Sequence, residues 1–285
     1  MTVLLAALQL NSSPDLQANF SAVYALCQQL KEAEHRLVVL PECWAIFGGI
    51  EAAQLEQAET LGQGPIQTFL ANLAQEFGLW LVSGTIPIKA DPIKAGSIKA
   101  SNNKFYAACL VFNPQGRCVA QYNKIHLFDV EVADNTQHYL ESKYTQAGQD
   151  IVVLETPFAK IGLAVCYDVR FPELFRVMQN QGADIICLPS AFTFLTGEAH
   201  WQPLIQARAI ENQCFMVAAG QTGTHRNGRK TWGHSLIVDG WGKRLAQATE
   251  EPCIVQTLVD LTSLTAIRAK MPNKQHRKIK VSSNI

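Results

Sequence analysis

The chain has 285 residues, and 48% of them are hydrophobic, so it can bury a large core. Lysine and arginine together number 24, as do aspartate and glutamate, and this balance gives no sign of a nucleic-acid partner. No run reaches the roughly eighteen uninterrupted apolar residues of a membrane span, and the first residues lack the basic region of a signal peptide, so no membrane partner is expected.

Short apolar strands alternate with helical stretches along the chain, without low complexity or clear repeats. Apolar residues at helical spacing predict helices over residues 19–33 and 66–77, the second closed by Gly78. Residues 89–97 and 239–242 are predicted to be hairpin turns because they contain glycine together with proline or aspartate. Strands are predicted over residues 3–10, 37–40, 79–86, 105–113, 119–124, 151–154, 160–165, 184–188, 214–220, 235–238 and 254–259.

The order of these elements indicates an α/β fold with helix layers packed outside sheet layers. We interpret residues 1–285 as a single domain, with a core at about residues 1–270 and a C-terminal tail at about residues 271–285. The basic run at residues 274–280 lies in that tail and is interpreted as a solvated terminus.

The eight cysteines form no C-x-x-C pair and show no regular spacing. This usage is typical of a reducing compartment, so free thiols and a cytoplasmic location are expected. The seven histidines are scattered, and the sequence predicts no metal site.

Residues 161–174 carry the most informative pattern in the chain. An apolar run predicts a buried strand that ends at Cys166, and a helical pattern begins shortly after it. Backbone N–H groups at a helix start favour negative charge, so they are expected to lower the pKa of the thiol and to hold an oxyanion. An isolated buried cysteine is more often a small core residue, so further residues must support a catalytic role.

Two other strand ends carry ionisable residues. Glu42 follows the apolar run at residues 37–40, and Lys124 ends an alternating strand. Alone, each would more often be a surface or ion-paired residue. Together with Cys166 they form a coherent set, in which Glu42 takes the thiol proton, Lys124 stabilises negative charge and Cys166 attacks a carbonyl carbon.

The segments at residues 40–42, 122–129 and 162–173 resemble the three signatures of the nitrilase superfamily of carbon–nitrogen hydrolases, in the right order. The resemblance runs over nearly the whole chain. It implies a four-layer α-β-β-α sandwich, a homodimer or higher homo-oligomer, and no cofactor. The family's catalytic residues fall on Glu42, Lys124, Cys166 and a second glutamate, Glu141.

The mechanism that the resemblance implies passes through a thioester on Cys166. Lys124 and the backbone N–H of Tyr167 hold the oxyanion, and Glu42, assisted by Glu141, activates the water that releases the product. Arg170 is predicted to bind a substrate carboxylate, with an internal ion pair to an acid such as Asp168 or Glu173 as the alternative. Further pocket residues are predicted at Phe192, Thr193 and Thr196.

Residues 128–142 are predicted to be an irregular loop, either a wall or lid of the pocket or a plain surface loop. His200 is expected to support the site by packing and hydrogen bonding rather than to act in catalysis. A rival interpretation is a thiol peptidase, which requires a histidine within hydrogen-bonding distance of Cys166. A second rival is a non-catalytic binding protein on the same fold.

Within the superfamily, residues 127–131, 195–201 and 207–214 resemble the branch that includes omega-amidase and deaminated-glutathione amidase. The segments at residues 189–192 and 218–221 look more like the second of these. The resemblance therefore implies hydrolysis of a small 2-oxo-acid amide, with the deaminated tripeptide favoured over 2-oxoglutaramate as substrate.

Overall fold

Two β-sheets stacked face to face make up the interior of the computed structural model, which describes residues 1–50, 52–90, 104–134, 136 and 138–279. The strands in this part of the chain are β1 (Thr2–Gln9), β2 (Arg36–Val39), β3 (Trp80–Val82), β4 (Ile86–Lys89), β5 (Phe105–Phe112), β6 (Cys118–Asn123), β7 (Asp129–Glu131), β8 (His138–Leu140), β9 (Val153–Glu155), β10 (Lys160–Leu163), β11 (Ile185–Ser190), β12 (Phe215–Gly220), β13 (Thr222–Thr224), β14 (Lys230–Trp232), β15 (Leu236–Val238), β16 (Arg244–Gln247) and β17 (Cys253–Asp260).

The helices lie outside the sheets. They are α1 (Leu16–Cys27), α2 (Ala53–Glu56), α3 (Pro65–Phe77), α4 (Pro172–Asn180), α5 (Phe194–Thr196), α6 (Gln202–Asn212), α7 (Thr262–Lys270) and α8 (Asn273–His276). Short 3₁₀-helices span Glu141–Lys143 and Cys166–Arg170, and a π-helical turn spans Gly197–Trp201. Among the described residues, no helix is both long enough and apolar enough to cross a membrane.

The first sheet has seven strands in the order β17-β1-β2-β3-β5-β4, with β6 also paired to β5. The second has six strands in the order β16-β15-β12-β11-β10-β9. Each sheet has a parallel centre, β1-β2-β3 in one and β10-β11-β12 in the other. Two small antiparallel pairs, β7-β8 and β13-β14, stand apart from the sheets.

Strand alternation separates the two cores. Val3 and Leu5 of β1 belong to the cluster between the sheets, whereas Ala6 and Leu8 belong to the cluster under α1 and α3. On the far side, α4 and α6 pack Phe175 and other apolar side chains against the second sheet. The predicted four-layer α-β-β-α sandwich is therefore confirmed. No observation tests the predicted single domain, which stays a prediction.

The helix predictions hold for α3 and only partly for α1. Helix α3 begins at Pro65 and ends at Gly78, which has a left-handed φ of +62°. The prediction that the first helix reaches residue 33 was wrong, because α1 ends at Cys27. The backbone N–H of Lys31 then donates to Gln256 Oε1 at 2.9 Å, and this bond ties the following segment to β17.

The prediction of one strand over residues 79–86 was wrong. The chain forms β3 and β4 instead, and Gly84 between them has a φ of +67°. A Cβ at Gly84 would come within 2.0 Å of the carbonyl oxygen of Pro41, so the two segments approach closely. The break lets both strands pair with β5 and brings the turn at Gly84 against the segment that carries Glu42.

Three other predicted segments differ from expectation or lie partly outside the described residues. Residues 128–142 contain the β7-β8 hairpin rather than an irregular loop. In the tail, Lys274 and Arg277 contact residues at the end of α4, so the basic run is not wholly solvated. Most of the predicted loop at residues 89–97 lies outside the described residues, whereas the predicted turn at residues 239–242 is confirmed.

Candidate active site

Lys124 lies at the centre of a buried cluster of charges. It directly follows β6, and its Nζ donates to Glu42 Oε1 at 2.7 Å and to Glu141 Oε2 at 2.8 Å. The side chain of Lys124 is only 2% exposed, so its ammonium group depends on these carboxylates rather than on water. Burial acts to lower the pKa of Lys124, but Glu141 and Glu42 outweigh it and hold that pKa well above its ordinary value.

Glu42 lies in the turn after β2, and three hydrogen bonds from other parts of the chain hold it in place. While one carboxylate oxygen accepts from Lys124, Oε2 accepts from the backbone N–H of Ala191 at 2.9 Å. The backbone carbonyl of Glu42 accepts from Gln221 Nε2 at 3.1 Å. Ala191 follows β11 in the second sheet, so this bond joins the two sheets at the site.

Glu141 is the first residue of the 3₁₀-helix after β8. Its Oε2 accepts from Lys124 and also from the backbone N–H of Phe128 at 2.7 Å. Burial raises the pKa of Glu141 above its ordinary value, and this effect outweighs the lowering by Lys124. Because the hairpin β7-β8 separates Phe128 from Glu141, folding of the hairpin places this carboxylate beside the lysine.

Cys166 lies where the second sheet turns into a helix. It begins the 3₁₀-helix after β10, with a φ of +46° that is rare for a residue other than glycine. The backbone N–H of Val165 donates to Asp168 Oδ2 at 2.8 Å, and the N–H of Asp168 donates to the carbonyl of Val165 at 3.0 Å. This tight turn holds the thiol at the cavity, with the residue only 7% exposed.

The prediction that the helix start lowers the pKa of Cys166 was wrong. Burial and the neighbouring charge of Glu42 raise that pKa well above its ordinary value, and they outweigh the lowering by Lys124 and by the backbone N–H of Ala191. Its surroundings therefore favour the protonated thiol over the thiolate. The arrangement requires a base that takes the proton as the sulfur attacks.

The charged cluster and Cys166 line one cavity of about 250 Å³. Six described residues between 128 and 141 also line it, so this segment is a wall of the cavity. The structure brings all the predicted site residues to this cavity, namely Glu42, Lys124, Glu141, Cys166, Tyr167, Arg170, Phe192, Thr193 and Thr196. No group of three or more potential metal ligands occurs in the described part of the chain.

The two interpretations of Arg170 can be compared directly. Its guanidinium lies over the rings of Phe192 and Tyr167, at 5.4 Å and 5.8 Å from their centroids, and Nη1 lies 3.2 Å from His200 Nδ1. The described residues provide no ion pair for Arg170, since Asp168 bonds to other donors. The alternative of an internal ion pair is therefore not observed.

The histidines do not support the thiol-peptidase alternative. His126 Nδ1 lies 2.7 Å from Asp168 Oδ1, and its ring stacks on Phe171 with the centroids 3.7 Å apart. His200 contacts Arg170, which is the supporting position expected from the sequence. Within the described ranges, no hydrogen bond joins a histidine to Cys166.

Two features of the site were not predicted from the sequence. Asp168, which is fully buried, accepts from the hydroxyl of Tyr122 at 2.7 Å and so links β6 to the turn at Cys166. Arg229 lines the cavity from the loop between β13 and β14. The bond between Tyr122 and Asp168 could have been suspected, because Tyr122 lies two residues before Lys124 in the sequence. The position of Arg229 could not, because the turn residues around it do not indicate a cavity.

A cysteine, a lysine and a glutamate that follow strands and line the cavity of an α-β-β-α sandwich define the class of carbon–nitrogen hydrolases. The chain belongs to the carbon–nitrogen hydrolase family, whose model matches residues 4–269. The resemblance found in the sequence is thereby confirmed, and the protein is a carbon–nitrogen hydrolase.

Several proteins are similar to this chain over most of its length. The chain is 41% identical over 276 residues to the deaminated glutathione amidase of Synechocystis, covering 96% of this chain and 97% of that protein. It is 38% identical over 273 residues to the protein of the same name from Yersinia enterocolitica, with 96% and 92% covered. The crystal structure of the Caenorhabditis elegans NitFhit protein matches 97% of this chain with a TM-score of 0.86 at 35% identity, and the chain spans 65% of that protein's length.

Proposed function

We propose that the protein hydrolyses deaminated glutathione, in which an amide bond joins 2-oxoglutarate to cysteinylglycine. The observation that carries the proposal is the cavity in which Cys166 lies beside Lys124 and its two carboxylates. The choice of substrate is supported by the names of the relatives from Synechocystis and Yersinia, which match nearly end to end.

In the first half of the reaction, Cys166 attacks the amide carbon. Because the pKa of the thiol is raised, its proton passes to Glu42 as the sulfur–carbon bond forms. Lys124 Nζ and the backbone N–H of Tyr167 stabilise the oxyanion of the tetrahedral intermediate. Collapse breaks the carbon–nitrogen bond, and the leaving amine of cysteinylglycine takes the proton from Glu42.

In the second half, water hydrolyses the thioester between Cys166 and the 2-oxoglutaryl group. Glu42 takes a proton from the water as its oxygen attacks, and the proton returns to the sulfur when the carbon–sulfur bond breaks. Glu141 holds Lys124 in place through both halves and assists in orienting the water. The products are 2-oxoglutarate and cysteinylglycine, and no cofactor takes part.

The proposal is tested by steady-state kinetics on two amides. We expect a higher kcat/KM for release of cysteinylglycine from deaminated glutathione than for release of ammonia from 2-oxoglutaramate. The reverse order would identify an omega-amidase with the same catalytic residues. The absence of turnover for every 2-oxo-acid amide tested would support a non-catalytic binding protein and reject the proposal.

Replacement of Cys166 tests the covalent mechanism. Cys166→Ala should abolish turnover while the fold is kept, because the change from thiol to methyl is small. Cys118→Ala is the matched control, since Cys118 is an exposed thiol on β6, and it should keep wild-type kinetics. Turnover of Cys166→Ala protein at the wild-type rate would rule out a thioester on this residue.

Arg170 is proposed to bind the carboxylate next to the 2-oxo group. A lysine offers a single charge in place of a bidentate fork, so Arg170→Lys should raise KM strongly for the acid. The effect should be much smaller for a substrate in which this carboxylate is esterified. Equal losses for acid and ester would mean that Arg170 only positions Tyr167 and Phe192.

We also propose a cytoplasmic location and a homodimer or higher homo-oligomer. All eight cysteines are free, as suits a reducing compartment. The oligomeric state rests on the family resemblance. Light scattering on the purified protein would test it, and a monomer at micromolar concentration would contradict it.

A further inference from the structure

The cavity holds more positive charge than its own carboxylates balance. Three cationic side chains line it, but Lys124 already contacts both Glu42 and Glu141. Neither Arg170 nor Arg229 forms an ion pair with any residue that the structure describes. Two arginines without carboxylate partners beside one cavity therefore offer two positions at which a carboxylate of a ligand can bind.

The surroundings of Arg229 show that its position is fixed. Its Cζ lies 4.9 Å from the ring centroid of Phe47 and 4.9 Å from that of Tyr139, so aromatic side chains from two walls of the cavity contact the guanidinium. Nη2 donates to the carbonyl of Ala191 at 3.0 Å. The guanidinium is therefore preorganised, which lowers the entropic cost of binding a ligand.

Arg229 also has unused hydrogen-bonding capacity. A guanidinium has five N–H donors, and the described residues satisfy one of them at Nη2. Its Nε is buried and has no hydrogen-bond partner among the described residues. A buried donor without a partner is costly, and the Nη donors that the described residues leave unsatisfied can bind a carboxylate in the cavity.

The two arginines contact neighbouring residues of one short segment. Arg170 stacks over the ring of Phe192, whereas Arg229 bonds the carbonyl of the preceding residue, Ala191. The N–H of Ala191 reaches Glu42, so this segment passes beside the reacting groups. A substrate whose scissile amide lies at Cys166 can therefore extend one carboxylate toward each arginine.

We infer that Arg229 binds a second substrate carboxylate, on the leaving-group side of the scissile amide, and thereby selects dicarboxylate amides over monocarboxylate ones. The inference rests on the proposed function for the identity of the amide. Deaminated glutathione carries two carboxylates, one beside the 2-oxo group and one on its glycine, whereas 2-oxoglutaramate has only the first. With Arg170 on the first carboxylate, Arg229 takes the second.

The test compares deaminated glutathione with its C-terminal amide, in which the glycine carboxylate is neutral. We expect wild-type kcat/KM to be higher for the acid by on the order of ten- to a hundredfold, the factor that a charge-assisted hydrogen bond supplies. Arg229→Gln should remove this preference, mainly through a rise in KM for the acid. Arg170→Gln should impair both substrates, since both keep the 2-oxo-acid carboxylate.

Arg226→Gln is the matched control, because Arg226 is an exposed arginine in the same loop that does not line the cavity, and it should keep the wild-type preference. An equal fall in kcat for acid and amide in Arg229→Gln would overturn the inference, since it would show that Arg229 acts only by positioning Ala191 and Glu42. Retention of the full acid preference in Arg229→Gln would overturn it as well.

A binding measurement separates failure of this inference from failure of the proposed function. Calorimetry on Cys166→Ala protein with linear dicarboxylates from glutarate to azelate, and with their monomethyl esters, needs no turnover. Tighter binding of a diacid than of its ester, lost on adding Arg229→Gln, would support the inference even if deaminated glutathione is not hydrolysed. No difference between diacid and ester would overturn it.

Discussion

The ammonium group of Lys124 has its charge and its position set by the residues around it. Glu42 and Glu141 both contact it, and the side chain of Lys124 is only 2% exposed. An arginine keeps the charge, but its broad planar guanidinium does not fit between two carboxylates spaced for an ammonium group. The geometry of this residue therefore matters as much as its charge.

Replacement of Lys124 by arginine is expected to impair the enzyme nearly as much as replacement by alanine. The loss should be about 3 kcal/mol or more in transition-state stabilisation, as for a lost oxyanion donor. Measurement of kcat/KM for Lys124→Arg, Lys124→Ala and the control Lys160→Arg, at an exposed lysine on β10, checks this. A near-wild-type kcat in Lys124→Arg would show that the residue acts only as a distant charge.

The raised pKa of Cys166 makes a prediction about alkylation by iodoacetamide. Only the thiolate reacts, and a raised pKa means that the thiolate fraction grows as pH increases above the ordinary range of a cysteine. The rate at Cys166 should therefore keep rising beyond about pH 9. Peptide mapping by mass spectrometry in a Cys118→Ala background gives this rate without the exposed thiol.

A plateau in that rate below pH 8 would contradict the prediction, because it would mean that Lys124 and the N–H of Ala191 outweigh burial and Glu42. Labelling of Cys43 in the same samples is an internal control. Burial raises the pKa of this second cavity thiol to about 12, so its labelling rate should also rise through this pH range without a plateau.

At the scale of single elements, the site depends on the turns that follow strands. Glu42, Lys124 and Cys166 each come directly or shortly after a strand, and the sequence predicted all three because a strand pattern precedes each one. The strand break at Gly84 was not predictable in this way, since residues 79–86 are apolar enough for one strand. Only the close approach of Pro41, more than forty residues earlier in the chain, requires the glycine.

Gly84→Ala should therefore destabilise the protein and reduce its activity. A positive φ alone costs an alanine about 1–2 kcal/mol. Gly62→Ala is the matched control, because Gly62 has a φ of +82° but nothing within 4 Å of an added Cβ. Gly84→Ala should lose more free energy of unfolding than this control by about 1–3 kcal/mol, since the new Cβ clashes with Pro41.

Denaturant unfolding and kcat/KM of the two glycine variants check this prediction. The activity of Gly84→Ala should fall together with its stability, because Pro41 directly precedes Glu42. Equal unfolding free energies for the two variants would mean that the contact with Pro41 relaxes without cost, and the turn would then not control the position of Glu42.

At the scale of the whole molecule, each sheet supplies part of the site. Glu42 and Lys124 follow strands of the seven-stranded sheet, and Cys166 follows a strand of the six-stranded sheet. The sequence could indicate three strand ends, but the pKa of Cys166 depends on its burial and on its distance from Glu42, which no local pattern encodes. For the same physical reason, the position of Arg229 beside the cavity could not be predicted.

Asp168 is one of the groups that fix the two sheets relative to each other at the site. Its two oxygens accept from four donors: the hydroxyl of Tyr122 at 2.7 Å, the N–H of Val165 at 2.8 Å, and the N–H and ring Nδ1 of His126 at 3.2 Å and 2.7 Å. Tyr122 and His126 flank Lys124 in sequence, and Val165 precedes Cys166. This carboxylate therefore connects the segment that carries the lysine to the turn that carries the thiol.

Asp168→Asn tests that role with almost no change in side-chain volume. An amide has one acceptor oxygen and an NH₂ group, and the NH₂ would face donors whichever way it is turned. Leaving buried donors without an acceptor should cost about 1–3 kcal/mol of unfolding free energy. It should also lower kcat more than it raises KM, since the displaced groups are the reacting ones.

Asp239→Asn is the control, because Oδ1 of Asp239 accepts only backbone N–H groups in an exposed turn, where asparagine serves equally well. A variant at Asp168 with wild-type kcat and a lowered unfolding midpoint would show that the network stabilises the fold without setting the geometry of the site.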